Sequence, residues 1–322
     1  MTLPLVSVVM LSWNRKNDVR VSLNHVFDAD YPSVEVIVVD NHSTDGTVDM
    51  VKEKFPATIV VPLAENIGIA GWNKGFEIAK GEYILVLDDD SYPEKNALSI
   101  GITRVMQEPQ CGILAMQVYN QHRQLVETSS LVHGNNTTFI GCGAVLRADI
   151  LKKIGMFEPL LFLYAHETEF AMRVINRGFT VLYEPRAIVQ HINSPAHRLI
   201  LRQSDIDARR QYFLMRNILV ILILHFSFTR LVFRIPRIIT GRIIFGLKYH
   251  CLSSILKGVA SFVWNFKKIS KRRSVLNERT QELYRFGSFA GGFFFSDGVH
   301  SISGPEWLRG RLGKNPTLLK NE

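Results

Sequence analysis

The chain has 322 residues, of which 47% are hydrophobic and 21% charged, and its formal net charge is +9. This composition excludes a disordered or collagen-like chain, and the length allows one large domain or one domain with an extension. Its three cysteines, Cys111, Cys142 and Cys251, are too few and too far apart for a Cys-rich zinc module. They indicate reduced thiols in a cytosolic setting.

The charge divides the chain into two parts. Residues 1–197 carry 16 Lys and Arg against 22 Asp and Glu, a net charge of −6. Residues 198–322 carry 22 against 7, a net charge of +15. Basic segments of this kind bind nucleic acid, anionic membrane or other polyanions. We therefore predict two parts with different roles, a domain over residues 1–204 and a helical, basic extension over residues 205–322.

Strands and helices alternate over the first hundred residues. The N-terminal segment has no basic region, so it predicts a first strand and not a signal peptide. Apolar runs predict strands, and helical spacing predicts the helices that separate them. The strands are expected at 6–11, 34–39, 57–63 and 83–87, and the helices at 18–27, 47–54, 72–80 and 97–107. This order predicts an α/β domain with a mostly parallel sheet and a ligand site at the carboxyl ends of its strands.

The pattern after residue 110 is less regular. Strands are predicted at 112–118, 140–146, 179–183 and 187–191, and a helix at 162–177. Long helical stretches follow from about residue 205 to Gly287, and the composition after Gly291 predicts no element.

Three consecutive carboxylates, Asp88, Asp89 and Asp90, end the apolar strand in the stretch LVLDDDSYP. Like charges at the rim of a core repel one another, and each resists losing its water. No Lys or Arg lies within four residues on either side. The stretch therefore favours a divalent cation as the partner, and the alternative is an acidic, solvated turn or helix N-cap.

Four segments resemble family 2 inverting glycosyltransferases of the GT-A fold, especially the rhamnosyl- and galactofuranosyl-transferase-like branch. They are VVDNHSTDGT, NIGIAGWNKGFEIAKGEYILVLDDDSYP, GCGAVLRADILKKIGMFEPLLFLYAHETEFAMR and AIVQH. The resemblance covers about residues 5–195, with a weaker likeness in RRQYFLMRN at 209–217. It implies a GT-A fold and transfer of a sugar from a dTDP- or UDP-sugar to a hydroxyl group, with Mg²⁺ or Mn²⁺ as cofactor.

The resemblance also implies a donor site. Asp40, which ends the second strand, would contact the nucleotide base, and Asp89 the ribose or sugar of the donor. Glycines let a backbone approach phosphates, and a helix N-terminus near Trp72 would offer free N–H groups; an ordinary glycine turn is the alternative. The residues that would line the donor diphosphate are Asn66, Gly68, Ala70, Gly71, Asn73 and Lys74.

By the same resemblance, Asp88, Asp90 and His191 would hold the metal, which stabilises the departing diphosphate. Glu167, in the stretch HETEF, falls on the position of the base that takes the proton from the attacking hydroxyl. The family usually has two acids at the start of this motif and an Asp as base, whereas this chain has His166 and a Glu. The alternative is that the acids merely favour a helix N-terminus.

Two other functions stay open. A nucleotidyltransferase that makes the nucleotide-sugar would share the α/β layout, but such enzymes usually carry a Gly-rich loop after the first strand, where this chain has LSWNRKND. An inactive, membrane-bound scaffold would keep the fold without activity.

The extension is predicted to bind an anionic membrane surface. The apolar core at 218–224 is too short to span a bilayer, and Arg230, Arg234 and Arg237 recur at helical spacing among apolar residues. Pro236 is expected to kink this helix, and basic residues at 267–273 add charge. The many apolar residues argue against nucleic acid. We expect a cytoplasmic enzyme on the inner face of the cell membrane, acting on a lipid-linked or growing surface glycan; packing on the catalytic domain or in a homo-oligomer is the alternative.

Overall fold

The computed structural model describes residues 3–127, 137–193 and 203–284. In this part of the chain nine strands form one sheet in the order β3-β2-β1-β4-β8-β6-β9-β5, with β7 paired to β6. They are β1 (Val6–Ser12), β2 (Val34–Asp40), β3 (Ile59–Pro62), β4 (Tyr83–Asp88), β5 (Ser91–Pro93), β6 (Cys111–Asn120), β7 (Leu125–Glu127), β8 (Ala144–Arg147) and β9 (Thr180–His191).

Helices of the first part of the chain connect these strands, and helices of the second part follow them. The first set is α1 (Lys16–Phe27), α2 (Thr47–Lys54), α3 (Ala70–Ile78), α4 (Ala97–Met106), α5 (Ala148–Ile154) and α6 (His166–Asn176), with a 3-10 turn at Pro159–Leu161. The second set is α7 (Gln203–His225), α8 (Phe228–Lys248), α9 (Leu252–Trp264), α10 (Phe266–Ser270) and α11 (Glu278–Leu283).

The first four strands are parallel, with β1 between β2 and β4 and with β3 outside β2. Beyond them the sheet is mixed, because β8 runs antiparallel to both of its neighbours, β4 and β6. The predicted fold class is confirmed. The register pairs Ser12 with Asp40 and Leu11 with Asp88, so the two acids flank the end of β1.

Alternate residues of each strand face opposite layers of helices. Val8 and Met10 of β1 belong to a buried cluster with residues of α1, α2 and α4. Val9 belongs to a second cluster with residues of α3, α5 and α6. Each aliphatic side chain buried in this way stabilises the fold by about 1.5–3 kcal/mol, so a sheet covered on both faces selects continuous apolar strands.

Several elements differ from the prediction. Strand β9 is one continuous strand where two were expected, with an irregular register in which Glu184 pairs with Met116 and Ile188 with Gln117. The strand predicted at 140–146 begins only at Ala144, because residues 140–143 form a turn in which Gly143 N donates a hydrogen bond to Ile140 O at 3.1 Å. Helix α3 begins at Ala70, two residues before the expected start. The helix predicted from residue 162 begins at His166.

The apolar run Ile218–Leu224 packs inside the protein. All seven residues are buried, in a cluster that includes Leu161, Ala165 and Met172 of the preceding part of the chain. For this run the structure shows the alternative, packing on the catalytic part, whereas the membrane surface expected for the extension stays a prediction. In the described residues, no helix is long and apolar enough to cross a membrane. The division at residues 204 and 205 stays a prediction, and residues 285–322 lie outside the described part.

A buried ionic cluster joins α6 to α7. Glu169, 1% exposed, accepts hydrogen bonds from Arg173 Nε at 2.7 Å and lies 2.8 Å from His225 Nε2. The other ring nitrogen of His225 lies 3.0 Å from the Ser274 carbonyl oxygen. Burial alone would raise the pKa of Glu169, but the charges of Arg173 and His225 outweigh it and lower that pKa to about 2.

Replacing Glu169 by Gln should destabilise the fold. The change leaves Arg173 and His225 in the core without their anion, so the free energy of unfolding at pH 7 should fall by about 3 kcal/mol in urea titrations. Since the pKa of Glu169 is lowered, its contribution is complete above the unfolded value of about 4.3 and is lost as the pH falls through about 2. Glu167→Gln, at a partly exposed carboxylate two residues away, is the control and should cost less than about 1 kcal/mol. Equal losses in the two variants would contradict this assignment.

Candidate active site

The acidic turn lies at the carboxyl edge of the sheet. Strand β4 ends at Asp88, and β5 begins at Ser91, whose Oγ accepts a hydrogen bond from Asp88 N at 2.9 Å. Two further hydrogen bonds hold the turn: Ser22 Oγ donates to Asp89 O at 3.0 Å, and Ile192 N donates to Asp90 O at 2.8 Å. The backbone therefore fixes three carboxylates beside one another.

Arg15 supplies a positive charge to this turn. It lies in the loop after β1, its Nη1 pairs with Asp90, and its Nε lies 3.6 Å from Asp89 Oδ1. Burial raises the pKa of Asp89 well above its usual value against the charge of Arg15. Arg15 was not predicted as a partner of these carboxylates, because it lies 75 positions from Asp90 in the sequence and only the order of the strands brings it close.

His191 is held between two carboxylates. Its Nε2 lies 3.4 Å from Asp90 Oδ1, and its Nδ1 lies 3.2 Å from Glu127 Oε2. Burial alone would lower the pKa of His191, but the hydrogen bonds to Asp90 and Glu127 outweigh it and raise that pKa to about 10. Burial would likewise raise the pKa of Asp90, but the hydrogen bond from His191 and the charge of Arg15 hold it well below its usual range.

A carboxylate behind a histidine is the usual support of a metal-binding imidazole, because it fixes the ring and leaves the other nitrogen free to ligate. Glu127 occupies that place and also accepts a hydrogen bond from Asn120. The sequence analysis missed Glu127, because strand β7 is too short to give a periodic signal.

Among the described residues, ligand atoms of Asp88, Cys142 and His191 lie within 4.8 Å of one another. The structure therefore brings together two of the predicted metal ligands and adds a thiol, while Asp90 stays paired with Arg15 and His191. Burial, and then the charge of Asp90, raise the pKa of Asp88 to about 7. Burial raises the pKa of Cys142 well above its usual value, so the thiol is neutral and a weak ligand. A carboxylate and an imidazole in this arrangement fit a divalent cation.

Asp40 has one unused oxygen. Its Oδ2 accepts a hydrogen bond from Ser43 N at 2.9 Å, whereas its buried Oδ1 has no hydrogen-bond partner within the described residues. A buried acceptor without a donor is costly, so this oxygen is ready to accept from a ligand. Its place next to the end of β1 agrees with the predicted contact to a nucleotide base, which stays a prediction.

The predicted diphosphate loop has a structural role of its own. Asn66 Oδ1 accepts from Gly68 N at 2.9 Å and from Asn41 Nδ2 at 3.0 Å. Gly68 has a φ of 63°, and an added Cβ would overlap the carbonyl oxygen of Phe162. Glycine is therefore required here both for the backbone conformation and for the close contact with Phe162.

Helix α3 contains the other residues that were predicted to line the diphosphate. An added Cβ at Gly71 would overlap Leu11, and the Asn73 side chain bonds both backbone groups of Phe157, at 2.9 and 3.0 Å. Lys74 pairs with Glu77 on the exposed surface. These contacts explain the residue types without a ligand, so donor contacts of Asn66, Gly68, Ala70, Gly71, Asn73 and Lys74 stay predictions.

Glu167 lies in the first turn of α6, and its side chain is 25% exposed. Its Oε2 lies 3.2 Å from His166 Nδ1, and a Cβ added at Gly141 would lie 3.1 Å from its Oε1. His166 is buried, stacks on Trp72 at 5.4 Å, and has its pKa lowered by burial. The side chain of Glu167 thus stays partly exposed beside a neutral ring, whereas Glu169 is fully engaged in the core.

The pKa shifts predict that metal affinity depends on pH. Because the pKa of His191 is about 10, a cation must displace its proton at neutral pH, and below about 7 it must also displace the proton of Asp88. The dissociation constant of Mn²⁺, measured by electron paramagnetic resonance, should fall roughly tenfold per unit from pH 7.5 to 8.5 and more steeply from 6.5 to 7.5. His191→Gln should weaken binding and flatten the upper slope. An affinity that does not change between pH 6.5 and 8.5 would contradict this site.

Comparison with known proteins shows what this chain is similar to. Residues 7–155 match the profile of Glycosyl transferase family 2. The "Probable glycosyltransferase YdaM" of Bacillus subtilis is 27% identical over 241 residues, which is 66% of this chain and 57% of that protein. The UDP-Glc:alpha-D-GlcNAc-diphosphoundecaprenol beta-1,3-glucosyltransferase WfaP of Escherichia coli is 33% identical over 91 residues, which is 27% of this chain and 36% of that protein. The chain therefore spans less than two thirds of the length of either relative.

Solved structures agree on the fold. S. aureus TarS 1-349 in complex with UDP-GlcNAc superposes with a TM-score of 0.53 at 21% identity, covering 68% of this chain and 66% of that one. Mannosyltransferase PcManGT from Pyrobaculum calidifontis, in complex with GDP-Man and Mn²⁺, superposes with a TM-score of 0.52 at 15% identity, covering 88% and 79%. These likenesses establish the GT-A fold of this chain.

Proposed function

We propose that this chain, whose residues 7–155 form a glycosyl transferase family 2 domain, is a metal-dependent inverting glycosyltransferase. The observation that carries the proposal is that a partly exposed carboxylate, Glu167, lies near the cluster of Asp88 and His191. The charge of Glu167 contributes to the raised pKa of Asp88, so the two sites share one electrostatic field. One carboxylate is thus available as a base beside a site for a divalent cation.

In the proposed reaction Glu167 takes the proton of an acceptor hydroxyl, and the oxygen attacks the anomeric carbon of the donor sugar while the bond to the diphosphate breaks. Single displacement inverts the configuration at that carbon. Asp88 and His191 would hold Mg²⁺ or Mn²⁺, whose chemistry is to stabilise the negative charge of the departing diphosphate. Burial lowers the pKa of His166, so the ring beside Glu167 is neutral at pH 7.

The donor would bind across the ends of β1, β2 and β4. The free oxygen of Asp40 offers an acceptor to a base N–H, and Trp13, 45% exposed after β1, offers an aromatic surface for stacking. We infer a hexose carried on UDP or dTDP, as the likeness to the rhamnosyl- and galactofuranosyl-transferase-like branch implies. The UDP-GlcNAc bound to TarS supports a uridine nucleotide, and the relative WfaP supports a lipid-linked acceptor.

Glu167→Gln tests the assignment of the base. The amide keeps the shape of the side chain and removes its basicity, so turnover should fall on the order of 10²-fold or more while donor affinity changes little. Turnover is measured with a panel of nucleotide-sugars and Mn²⁺, first ranked by the thermal stabilisation that each donor gives. Excess chelator should abolish transfer in the parent protein.

Three results would count against the function. They are full transfer in chelator, an active Glu167→Gln variant, and synthesis of a nucleotide-sugar from a sugar phosphate and a nucleoside triphosphate. The last would favour the nucleotidyltransferase, and a parent protein that binds donors without transfer or donor hydrolysis would favour the scaffold.

We also infer that the second set of helices binds an anionic membrane surface, with contacts other than those the sequence suggested. Arg230 pairs with Glu282 at 2.8 Å, and the guanidinium of Arg234 lies 4.5 Å from the centre of the Phe226 ring. Arg273 donates hydrogen bonds to backbone carbonyls of α7 and the following residue. Three of the predicted lipid-facing cations therefore have partners inside the protein.

An exposed apolar face replaces them. Phe233 and Trp264 are 79% and 90% exposed, and Ile244 and Leu247 continue the face of α8 at helical spacing. Exposed lysines at 267, 268 and 271 follow the end of α9, which supplies the cationic partner for anionic headgroups. Large exposed aromatic residues beside lysines are typical of helices that lie in a membrane interface.

Vesicle flotation tests this surface. The full chain should float with vesicles that contain anionic lipid. The double variant Phe233→Ser, Trp264→Ser should bind these vesicles roughly tenfold more weakly, because two large apolar side chains are no longer buried in the lipid. Met106→Ser, at an exposed apolar residue of α4, is the control and should bind like the parent. If the parent fails to float and instead forms a homo-oligomer that the double variant does not form, the face is a subunit interface and not a membrane surface.

A further inference from the structure

The loop that precedes α6 has an unusual backbone. Phe162, Tyr164 and Ala165 have φ angles of 56°, 67° and 65°, and none of them is glycine. Such left-handed conformations are sterically unfavourable for residues with a side chain, and they persist only where surrounding contacts hold them. Ala165 is the N-cap residue of α6, so its conformation sets the direction in which Glu167 projects.

Asn217 of α7 holds this loop. Its side chain is fully buried, and its Nδ2 lies 2.9 Å from Leu161 O, 2.7 Å from Leu163 O and 3.0 Å from Tyr164 O. An amide has two N–H donors, so the three carbonyls share them. These oxygens belong to three residues within a stretch of four, and a regular helix or strand would not direct them to one point.

Arg216 adds a second donor to the same loop. Its Nη1 donates to Leu160 O at 2.6 Å and to Asn217 Oδ1 at 2.9 Å. The second bond fixes the orientation of the Asn217 amide, so that its nitrogen faces the loop. A charged donor strengthens both contacts.

Phe213 completes the contact face of α7. Its ring stacks on Phe162 with centroids 5.5 Å apart and meets Tyr164 edge-on at 6.5 Å. Phe213 and Asn217 are four residues apart, so they lie on one face of the helix. On the far side of the loop, Phe162 O accepts a hydrogen bond from Ile69 N at 2.8 Å.

We propose that Asn217 is a positioning residue for the base Glu167. By fixing the carbonyls of Leu161, Leu163 and Tyr164 it maintains the positive-φ backbone that starts α6, and so keeps the Glu167 carboxylate within reach of the acceptor hydroxyl. The proposal rests on the proposed role of Glu167. It makes α7 a part of the active site, independently of any surface that the other helices bind.

Asn217→Leu tests the proposal, because leucine has a similar size but no N–H donor. A misplacement of about 1 Å can cost 10²-fold in rate, so kcat should fall by about that factor while the dissociation constant of the donor changes less than roughly threefold. Gln281→Met is the matched control. Gln281 is also a buried amide that bonds backbone groups, at Leu276 O and Ser227 N, but these lie in the connections between helices of the second set. This variant should keep its kcat.

Two further measurements separate positioning from general stability. Hydrogen–deuterium exchange at residues 160–168 should accelerate in Asn217→Leu and not in Gln281→Met. Adding Ala165→Gly to Asn217→Leu should recover about tenfold in kcat, because glycine adopts a positive φ without steric cost. Loss of packing around α7 would not be repaired by that change.

The outcomes are distinct. Unchanged exchange at residues 160–168 in Asn217→Leu would show that Asn217 does not hold the loop. Accelerated exchange with an unchanged kcat overturns the positioning role while the proposed function stands. An equal loss of kcat in Gln281→Met also overturns it. A parent protein that transfers no sugar contradicts the proposed function, and the exchange measurement alone then decides whether Asn217 holds the loop.

Discussion

Concentrated negative charge at the carboxyl edge of the sheet is the constraint on which the rest of this structure depends. Asp88, Asp89 and Asp90 are fixed by the end of β4 and cannot move apart, so other parts of the chain must compensate them. Arg15 comes from the loop after β1 and His191 from the end of β9, and Glu127 holds the histidine in place. The compensation is incomplete at Asp88, which is why that carboxylate and the histidine suit an added cation.

The same principle separates two acids of one helix. Glu167 and Glu169 are two residues apart at the start of one helix, but the helix turns them to different surroundings. Glu169 is enclosed by Arg173 and His225 and serves to attach α6 to α7. Glu167 keeps part of its surface open beside a neutral imidazole. Burial and partners, more than residue type, therefore decide which carboxylate is available for chemistry.

Much of the fold was predictable because parallel strands covered on both faces are continuous apolar runs, and because their polar ends mark one edge of the sheet. Asp40 and Asp88 could be placed in that way. Arg15, Glu127 and Asn217 could not, since each acts on residues far away in the sequence. The run Ile218–Leu224 shows a different limit: hydropathy identifies a segment that avoids water but does not distinguish the protein core from a lipid surface.

The bonds from α7 to the loop of residues 160–164 also limit which segments such a protein could exchange with a relative by gene recombination. A crossover between the end of β9 and the start of α7 looks harmless, because it leaves the sheet and every carboxylate of the site in one piece. A foreign C-terminal segment joined there would nevertheless have to bring an amide and a guanidinium to the same two points. The exchangeable unit of this protein is therefore larger than the sheet and its covering helices, and it ends within α7.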